Sequence, residues 1–351
     1  MAALMRSQAA QFILGALIGG AGGAVFAWLH MPLAWLTGSL LAVAAARFAG
    51  LPAEGSRQAR NALFGIIGIA LGAYFTPATA ALLTEKLPLV LVAALASLGV
   101  GAALAPLLAR VGRVDMATAW FSSIPGGVAD MALLADSYGG RAAPVAVTQL
   151  LRICFVVILV PNAFALFGFH AEHPWAASPL PFLPLRLLLL YCGGLAAALL
   201  LVRVGVRVGW LLGPLVVTAT LTASGVPLSG VPPWLTAIAQ VALGASLGTG
   251  FGREALRSLR RFLPAAILHV VALMTCCALV GMLLGLIWGE SLGTMLLGTA
   301  PGGVAEMSLT AKTLGFDVAL VVILHVTRIF LVSLITPLFF RVLHRRSDSG
   351  T

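Results

Sequence analysis

The chain has 351 residues, of which 60% are hydrophobic and only 9% charged, and its mean hydropathy is +1.06. A soluble globule needs roughly 25% charged residues to wet its surface, so a soluble domain of useful size is excluded. The net charge of +10 does not point to nucleic acid, because the basic residues sit in short loops between apolar runs rather than along one face.

The first apolar run, Phe12 to Leu29 behind Arg6, has the look of a signal sequence, but it is long enough to span a bilayer and carries no convincing cleavage site. Six apolar segments are predicted in the first half, near residues 10–29, 33–50, 61–80, 87–109, 116–137 and 142–168. Six more follow near 182–202, 208–224, 234–251, 262–286, 291–314 and 317–340. Helices of about 20 apolar residues are what a hydrocarbon core roughly 30 Å thick demands. The fifth segment of each half is interrupted by Pro125-Gly126-Gly127 or Pro301-Gly302-Gly303. Proline removes a donor and glycine frees φ, so neither segment is expected to be one continuous helix.

The halves are copies. Ile124-Pro-Gly-Gly-Val-Ala-Asp-Met131 returns as Ala300-Pro-Gly-Gly-Val-Ala-Glu-Met307 at an offset of 176, which also aligns Gly139 with Gly315, Arg152 with Arg328 and Pro161 with Pro337. From 125 to 161 there are 15 identities in 37 positions without a gap. Upstream, Trp35-Leu-Thr-Gly38 matches Trp210-Leu-Leu-Gly213 at 175, and Gly68 and Gly72 match Gly244 and Gly248 at 176. Shared apolar composition explains matched Leu and Ala, but not matched Pro-Gly-Gly, a matched intramembrane Arg and a constant offset together. The expected domains are residues 1–170 and 171–351, one membrane repeat each.

Loop charge predicts how the repeats lie. With re-entrant fifth segments, five crossings per half and the N-terminus inside, sixteen basic residues fall in cytoplasmic loops, among them Arg47, Arg57, Arg60, Arg253, Arg257 and Arg261. Only Lys86, Arg186 and Lys312 fall outside. If all six segments crossed, Arg253 to Arg261 would be thrown outside. Five is odd, so the second half enters from the opposite face. The link between segments two and three agrees, being basic in half one and uncharged from Gly225 to Pro233 in half two. A variant with a crossing broken helix and one interfacial segment keeps the inversion. The predicted fold is an all-α polytopic membrane protein of two inverted five-crossing repeats, about ten transmembrane helices, with both termini cytoplasmic. Many secondary transporters share that plan.

The breaks are the candidate functional positions. Half-helices starting at Val128 and Val304 would aim their positive dipole ends at a cavity near mid-membrane, favouring anions or polar groups. Asp130 and Glu306 are third in these half-helices, where an acid caps free amides; an intramembrane carboxyl is equally a candidate coupling-ion or proton site. Met131 and Met307 read as packing. Arg152 and Arg328 lie too deep to snorkel, at a cost of roughly 2.5–3.5 kcal/mol each on insertion scales, and must face inward with a partner. Sequence logic offers Asp130 and Glu306 as structural partners; the other reading is a substrate-anion clamp joined by Gln149 and His325, one turn earlier on the same face. The candidate set is therefore Pro125, Gly126, Gly127, Asp130, Gln149 and Arg152 in the first half. Pro301, Gly302, Gly303, Glu306, His325 and Arg328 complete it in the second.

Enzymatic readings find little support. His170 and His173 flank Glu172 with no further converging ligands, His344 reads as a solvated tail residue, and no HExxH, P-loop or nucleophile elbow occurs. Cys154, Cys192, Cys276 and Cys277 sit in apolar runs without metal-ligand spacing, so no metal and no cofactor is expected.

The paired Pro-Gly-Gly-Val-Ala-(Asp/Glu)-Met motifs, each followed by Arg-Ile, and the paired Trp-Leu-x-Gly motifs resemble the bacterial AbrB-type membrane family across essentially the whole chain. That resemblance implies an inner-membrane protein with a duplicated domain. One member is linked to regulation of gene expression, and the family shares only its name with a small soluble DNA-binding regulator. An ammonia monooxygenase label, often attached to the family, implies copper, for which this sequence has no His-rich ligand set. The expected function is a secondary transporter or permease for a small, anionic solute, bound between the broken helices. The alternative is a membrane sensor acting on gene expression through a partner, and a membrane oxidase is the third reading. Expected partners are the bilayer and a small solute or ion, with a homodimer possible and no direct nucleic acid.

Overall fold

The structure, a computed structural model, describes residues 7–169, 171, 180–206, 208–250 and 259–332. The His170/His173 pair, Arg6, Arg253, Arg257 and the basic C-terminal cluster with His344 lie outside the described residues. The described chain is helical throughout, without strands. The helices are α1 (Gln8–Trp28), α2 (Ala34–Phe48), α3 (Arg57–Gly72), α4 (Pro77–Glu85), α5 (Leu87–Gly112), α6 (Met116–Ser123), α7 (Val128–Ser137), α8 (Ala142–Leu166), α9 (Pro184–Arg203), α10 (Gly209–Ala223), α11 (Pro233–Gly248), α12 (Leu263–Trp288), α13 (Leu292–Thr299), α14 (Val304–Leu314) and α15 (Val318–Val332).

Among the described residues, α1, α5, α8, α9 and α12 are long and apolar enough to cross a membrane. They present leucines outward, such as Leu185 at 70% and Leu286 at 79% exposure, which water would penalise and lipid would not. The architecture is that of a polytopic helical membrane protein. The third predicted segment is not one rod: α3 and α4 meet at 85°, and they would form a sixth span only as a bent pair. The cause is local. Pro77 cannot supply the amide a continuing helix needs, and the Thr76 hydroxyl instead accepts from the Thr79 amide (3.3 Å), starting a new helix.

The duplication is visible in the backbone. Positive φ recurs at equivalent positions: His30 and Gly205, Gly50 and Gly225, Arg113 and Gly289, and Gly139 and Gly315, the last pair both at 77°. Each pair ends a helix, where a left-handed residue closes the last turn.

The chain forms two compact units, each drawn from both halves; α8, α14 and α15 contribute residues to both. The first is built on α1 to α4 and α9 to α11. Its helices cross at glycines. A Cβ on Gly68 would sit 2.5 Å from the Leu211 carbonyl of α10, and one on Gly72 would sit 2.7 Å from that of Leu215. The copy repeats the contact: Gly244 faces the Leu36 carbonyl of α2, and Gly248 the Leu40 carbonyl at 2.7 Å. Helix three of each half thus lies on helix two of the other, through a small-xxx-small stripe that lets backbones touch without a hydrophobic drive. The same holds within each half, where Gly38 meets the backbone of Gly22 and Gly213 that of Ala198.

The second unit contains α5 to α7, most of α8, α12, α13, the start of α14 and most of α15. The long helices α5 and α12 pack together, and Lys86 at the start of α5 pairs with Glu290 just beyond α12 at 2.7 Å. The short helices α6 and α13 rest on these two through Gly101, facing the Ser123 carbonyl (2.8 Å), and Gly281, facing that of Met295 (2.8 Å).

A β-branched residue cannot enter the Gly68 crossing without forcing α3 off α10. Gly68→Val should cost about 1–3 kcal/mol, and Gly244→Val a similar amount. Gly99→Ala, where nothing lies within 4 Å of the new methyl, should be near neutral. Thermal unfolding in detergent compares the three.

Candidate functional site

Both fifth segments leave helix where the Pro-Gly-Gly spacing predicts. Asp115 caps α6, accepting from the Thr118 amide (2.7 Å), and the helix ends at Ser123. The chain is extended at Ile124 and Gly127 and turns helical again at Val128. In the copy, α13 ends at Thr299 and α14 begins at Val304.

A helix ending in apolar surroundings leaves its last carbonyls without donors, at about 1–3 kcal/mol for each one buried unsatisfied. The neighbouring helix supplies those donors. At the first break Gln149 of α8 donates through Nε2 to the Phe121 carbonyl (2.7 Å) and the Ile124 carbonyl (2.9 Å). Arg152, one turn on, donates through Nη2 to the Gly126 carbonyl (3.0 Å). At the second break the His325 Nε2 faces the Leu297 carbonyl (3.0 Å), and since a carbonyl only accepts, that nitrogen carries the proton. Arg328 donates through Nη1 to the Ala300 carbonyl (2.6 Å) and through Nη2 to that of Gly302. The three carbonyls and the two side chains of one break all lie 176 positions from their counterparts in the other. The arrangement is one device built twice.

These side chains are buried: Arg152 is 3% exposed, Arg328 2%, Gln149 and His325 0%. Sequence logic named Asp130 and Glu306 as partners for the arginines; the guanidinium groups donate to main-chain oxygen, and Arg152 is in electrostatic reach of Glu306 as well. A carbonyl dipole at a helix C-terminus suits a cation as a carboxylate does, without burying a second full charge. The carboxyl groups also turn back on their own loops. Asp130 Oδ2 lies 2.9 Å from where a Cβ on Gly127 would be, and Glu306 Oε2 covers Gly303, the pose of an acid capping its helix start. Gly126 and Gly302 are glycine because Met131 and Met307 fill the space a side chain would need, with atoms 2.8 Å from the ideal Cβ in both cases. Pro125 and Pro301 are buried beside them.

The breaks share one neighbourhood. Val156 of α8, from the first half, lies 2.8 Å from a Cβ on Gly302 of the second. Arg152 is within electrostatic reach of both Arg328 and Glu306. The two breaks differ in openness: Gly127 is exposed and Gly126 and Asp130 half-buried, whereas their counterparts Gly303, Gly302 and Glu306 are half-buried, buried and buried.

Sequence reasoning placed Gln149 and His325 on the correct face but did not see what they hold. The matched offset to Phe121 and Leu297 was the available signal. It missed Ser122 at the end of α6, buried at 1%, and Thr299, whose hydroxyl donates to the Cys277 carbonyl (3.0 Å) from the end of α13. Among the described residues no three His, Cys, Asp or Glu side chains gather as metal ligands. An apolar cavity of about 420 Å³ lies in the first unit between Phe12, Trp35, Leu63, Trp234, Ile238 and Val241, without convergent polar groups to do chemistry.

Comparison with known proteins finds a family and relatives that cover most of the chain. Residues 35–344 match the model of a family described as "Transition state regulatory protein AbrB". The chain is 29% identical over 330 residues to the "Putative regulator AbrB" of Escherichia coli (strain K12), covering 90% of this chain and 91% of that one. It is 27% identical over 353 residues to the protein YhjN of Bacillus subtilis (strain 168), covering 93% and 91%.

The unequal load on the arginines predicts unequal costs. Arg328→Ala strips donors from two buried carbonyls and should destabilise by about 2–6 kcal/mol, whereas Arg152→Ala strips one, for about 1–3 kcal/mol. Thermal denaturation of the two detergent-solubilised variants measures the difference.

Proposed function

Because this chain belongs to the AbrB family and has the helical architecture of a polytopic membrane protein, we propose that it is a secondary transporter of the bacterial inner membrane. It carries a small anionic solute through a site at its two broken helices. The observation that carries this reading is the pairing of the breaks: two interrupted helices, one from each repeat, meet around buried Arg152, Arg328 and Glu306. Irregular backbone at membrane depth is tolerated where it lines a cavity or is enclosed by protein, and charges there mark solute or ion paths.

In this reading the halves are inverted, with about ten crossings and both termini in the cytoplasm. The excess of arginine in alternate loops supports that topology. The reciprocal packing of α3 on α10 and α11 on α2 supports a two-fold relation between the halves. Half-helix starts at Val128 and Val304 attract the anion, and Asp130 and Glu306 serve a coupling ion or proton. A second reading draws on the name of the Escherichia coli relative: a membrane regulator that signals through a partner protein. A stable cytosolic regulator captured with the protein, together with absent flux, would favour it.

In proteoliposomes the wild type should accumulate at least one of a panel of organic anions. Asp130→Asn with Glu306→Gln should lower that uptake by an order of magnitude or more while leaving the protein folded. Absence of substrate-dependent flux across the panel would remove the transport reading.

A further inference from the structure

The two breaks present the same three carbonyls but do not divide them alike. A glutamine amide has two N–H bonds, and Gln149 uses them on the first two carbonyls, those of Phe121 and Ile124. A neutral imidazole has one, so His325 can hold only the first, Leu297, and the second falls to Arg328 Nη1. The consequence appears in the arginines. Arg328 spends both terminal nitrogens on backbone, while Arg152 spends only Nη2. Among the described residues Arg152 Nη1 and Nε have no hydrogen-bond partner, nor have Gln149 Oε1 and Ser122 Oγ at the same break; Arg328 Nε and His325 Nδ1 are idle at the second break too, so the terminal nitrogen Nη1 and the Ser122 hydroxyl are what set the first break apart. At the equivalent of Ser122 the second half has Gly298, which offers no hydroxyl.

Taking the transport reading as premise, we infer that the first break is the solute site and the second its structural copy, with Arg152 Nη1 the donor that receives a small monocarboxylate. A buried guanidinium with idle N–H bonds is incomplete until an anion completes it, and its planar fork suits a carboxylate. Donor count sets the valence. One idle terminal nitrogen receives one carboxylate, and the second carboxylate of a dianion would be buried without a donor. The idle oxygens of Gln149 and Ser122 accept from a donor on the ligand, which favours a hydroxy acid over a bare one. The route in is the exposed Gly127 and half-buried Gly126, whose counterparts Gly303 and Gly302 are half-buried and buried.

The purified full-length protein, titrated with lactate, acetate, succinate and inorganic phosphate at fixed ionic strength, tests this through ligand-dependent thermal shift and calorimetry. Lactate should bind saturably at one site per chain, acetate more weakly, succinate and phosphate weaker still. Gln149→His hands the Ile124 carbonyl back to Arg152 and should weaken lactate binding about ten-fold or more, the value of one charge-assisted hydrogen bond. The mirror change, His325→Gln, releases Arg328 Nη1 and should add a second site, raising the stoichiometry to two. This arm stays informative even if Gln149→His folds poorly. No saturable shift with any of the four anions, unaltered affinity in Gln149→His, or unaltered stoichiometry in His325→Gln would each overturn the assignment. Flux of an organic anion that is unaffected by Gln149→His would then leave the transport reading standing without it, whereas anion binding without flux of any kind would sink that reading instead.

Discussion

A carbonyl oxygen facing hydrocarbon has no water to turn to, and the second unit is organised around that fact. Breaking a helix at Pro125 or Pro301 leaves oxygens at Phe121, Ile124 and Gly126, or at Leu297, Ala300 and Gly302, that must find donors in protein. Four buried side chains from the following helices supply them. The requirement explains why arginine is tolerated there at all. Its charge is offset by carbonyl dipoles and by the negative ends of α6 and α13, and its several N–H bonds can reach oxygens on an irregular strand of backbone. It also explains the spacing of three between Gln149 and Arg152, and between His325 and Arg328. One helical turn on a straight neighbour matches the rise between the last turn of a helix and the loop beyond it.

In the first unit the same bilayer logic acts through size rather than polarity. Lipid tails are as apolar as leucine, so burying apolar area does not drive helices together, and van der Waals contact between backbones has to. Glycines at 68 and 72, and at 244 and 248, let α3 and α11 reach the carbonyls of α10 and α2. Because the contact is made twice, with partners exchanged between halves, neither repeat completes its packing alone. The unit is a joint product of both copies.

Duplication supplies two of everything, and small divergences then decide which copy does what. One exchange between Gln and His hands the second of three hydrogen bonds from that side chain to the arginine. Asp130 and Glu306 differ by one methylene and keep the same capping position, yet one stands half-open and the other is enclosed. A symmetric scaffold with an asymmetric donor count holds its shape at one break while leaving spare bonding capacity at the other.

Much of this was readable from the chain. The helical class follows from long apolar runs, the duplication from a constant offset, and the two interruptions from proline beside paired glycines, because each is a local or periodic property that composition and spacing carry directly. The face shared by Gln149 with Arg152, and by His325 with Arg328, follows from helical pitch. Partners do not follow from pitch. The bend at Pro77 was missed because one proline in an apolar run looks like the tolerated prolines inside α5 and α8; only the Thr76 cap and the packing around it separate the cases. Carboxylates are the arginine partners that a sequence displays, whereas every residue carries a carbonyl and none is marked as unpaired. Which oxygens go unpaired depends on where helices end in space and which neighbour stands beside them. That is set by long-range packing at glycine crossings, and so by the tertiary structure alone.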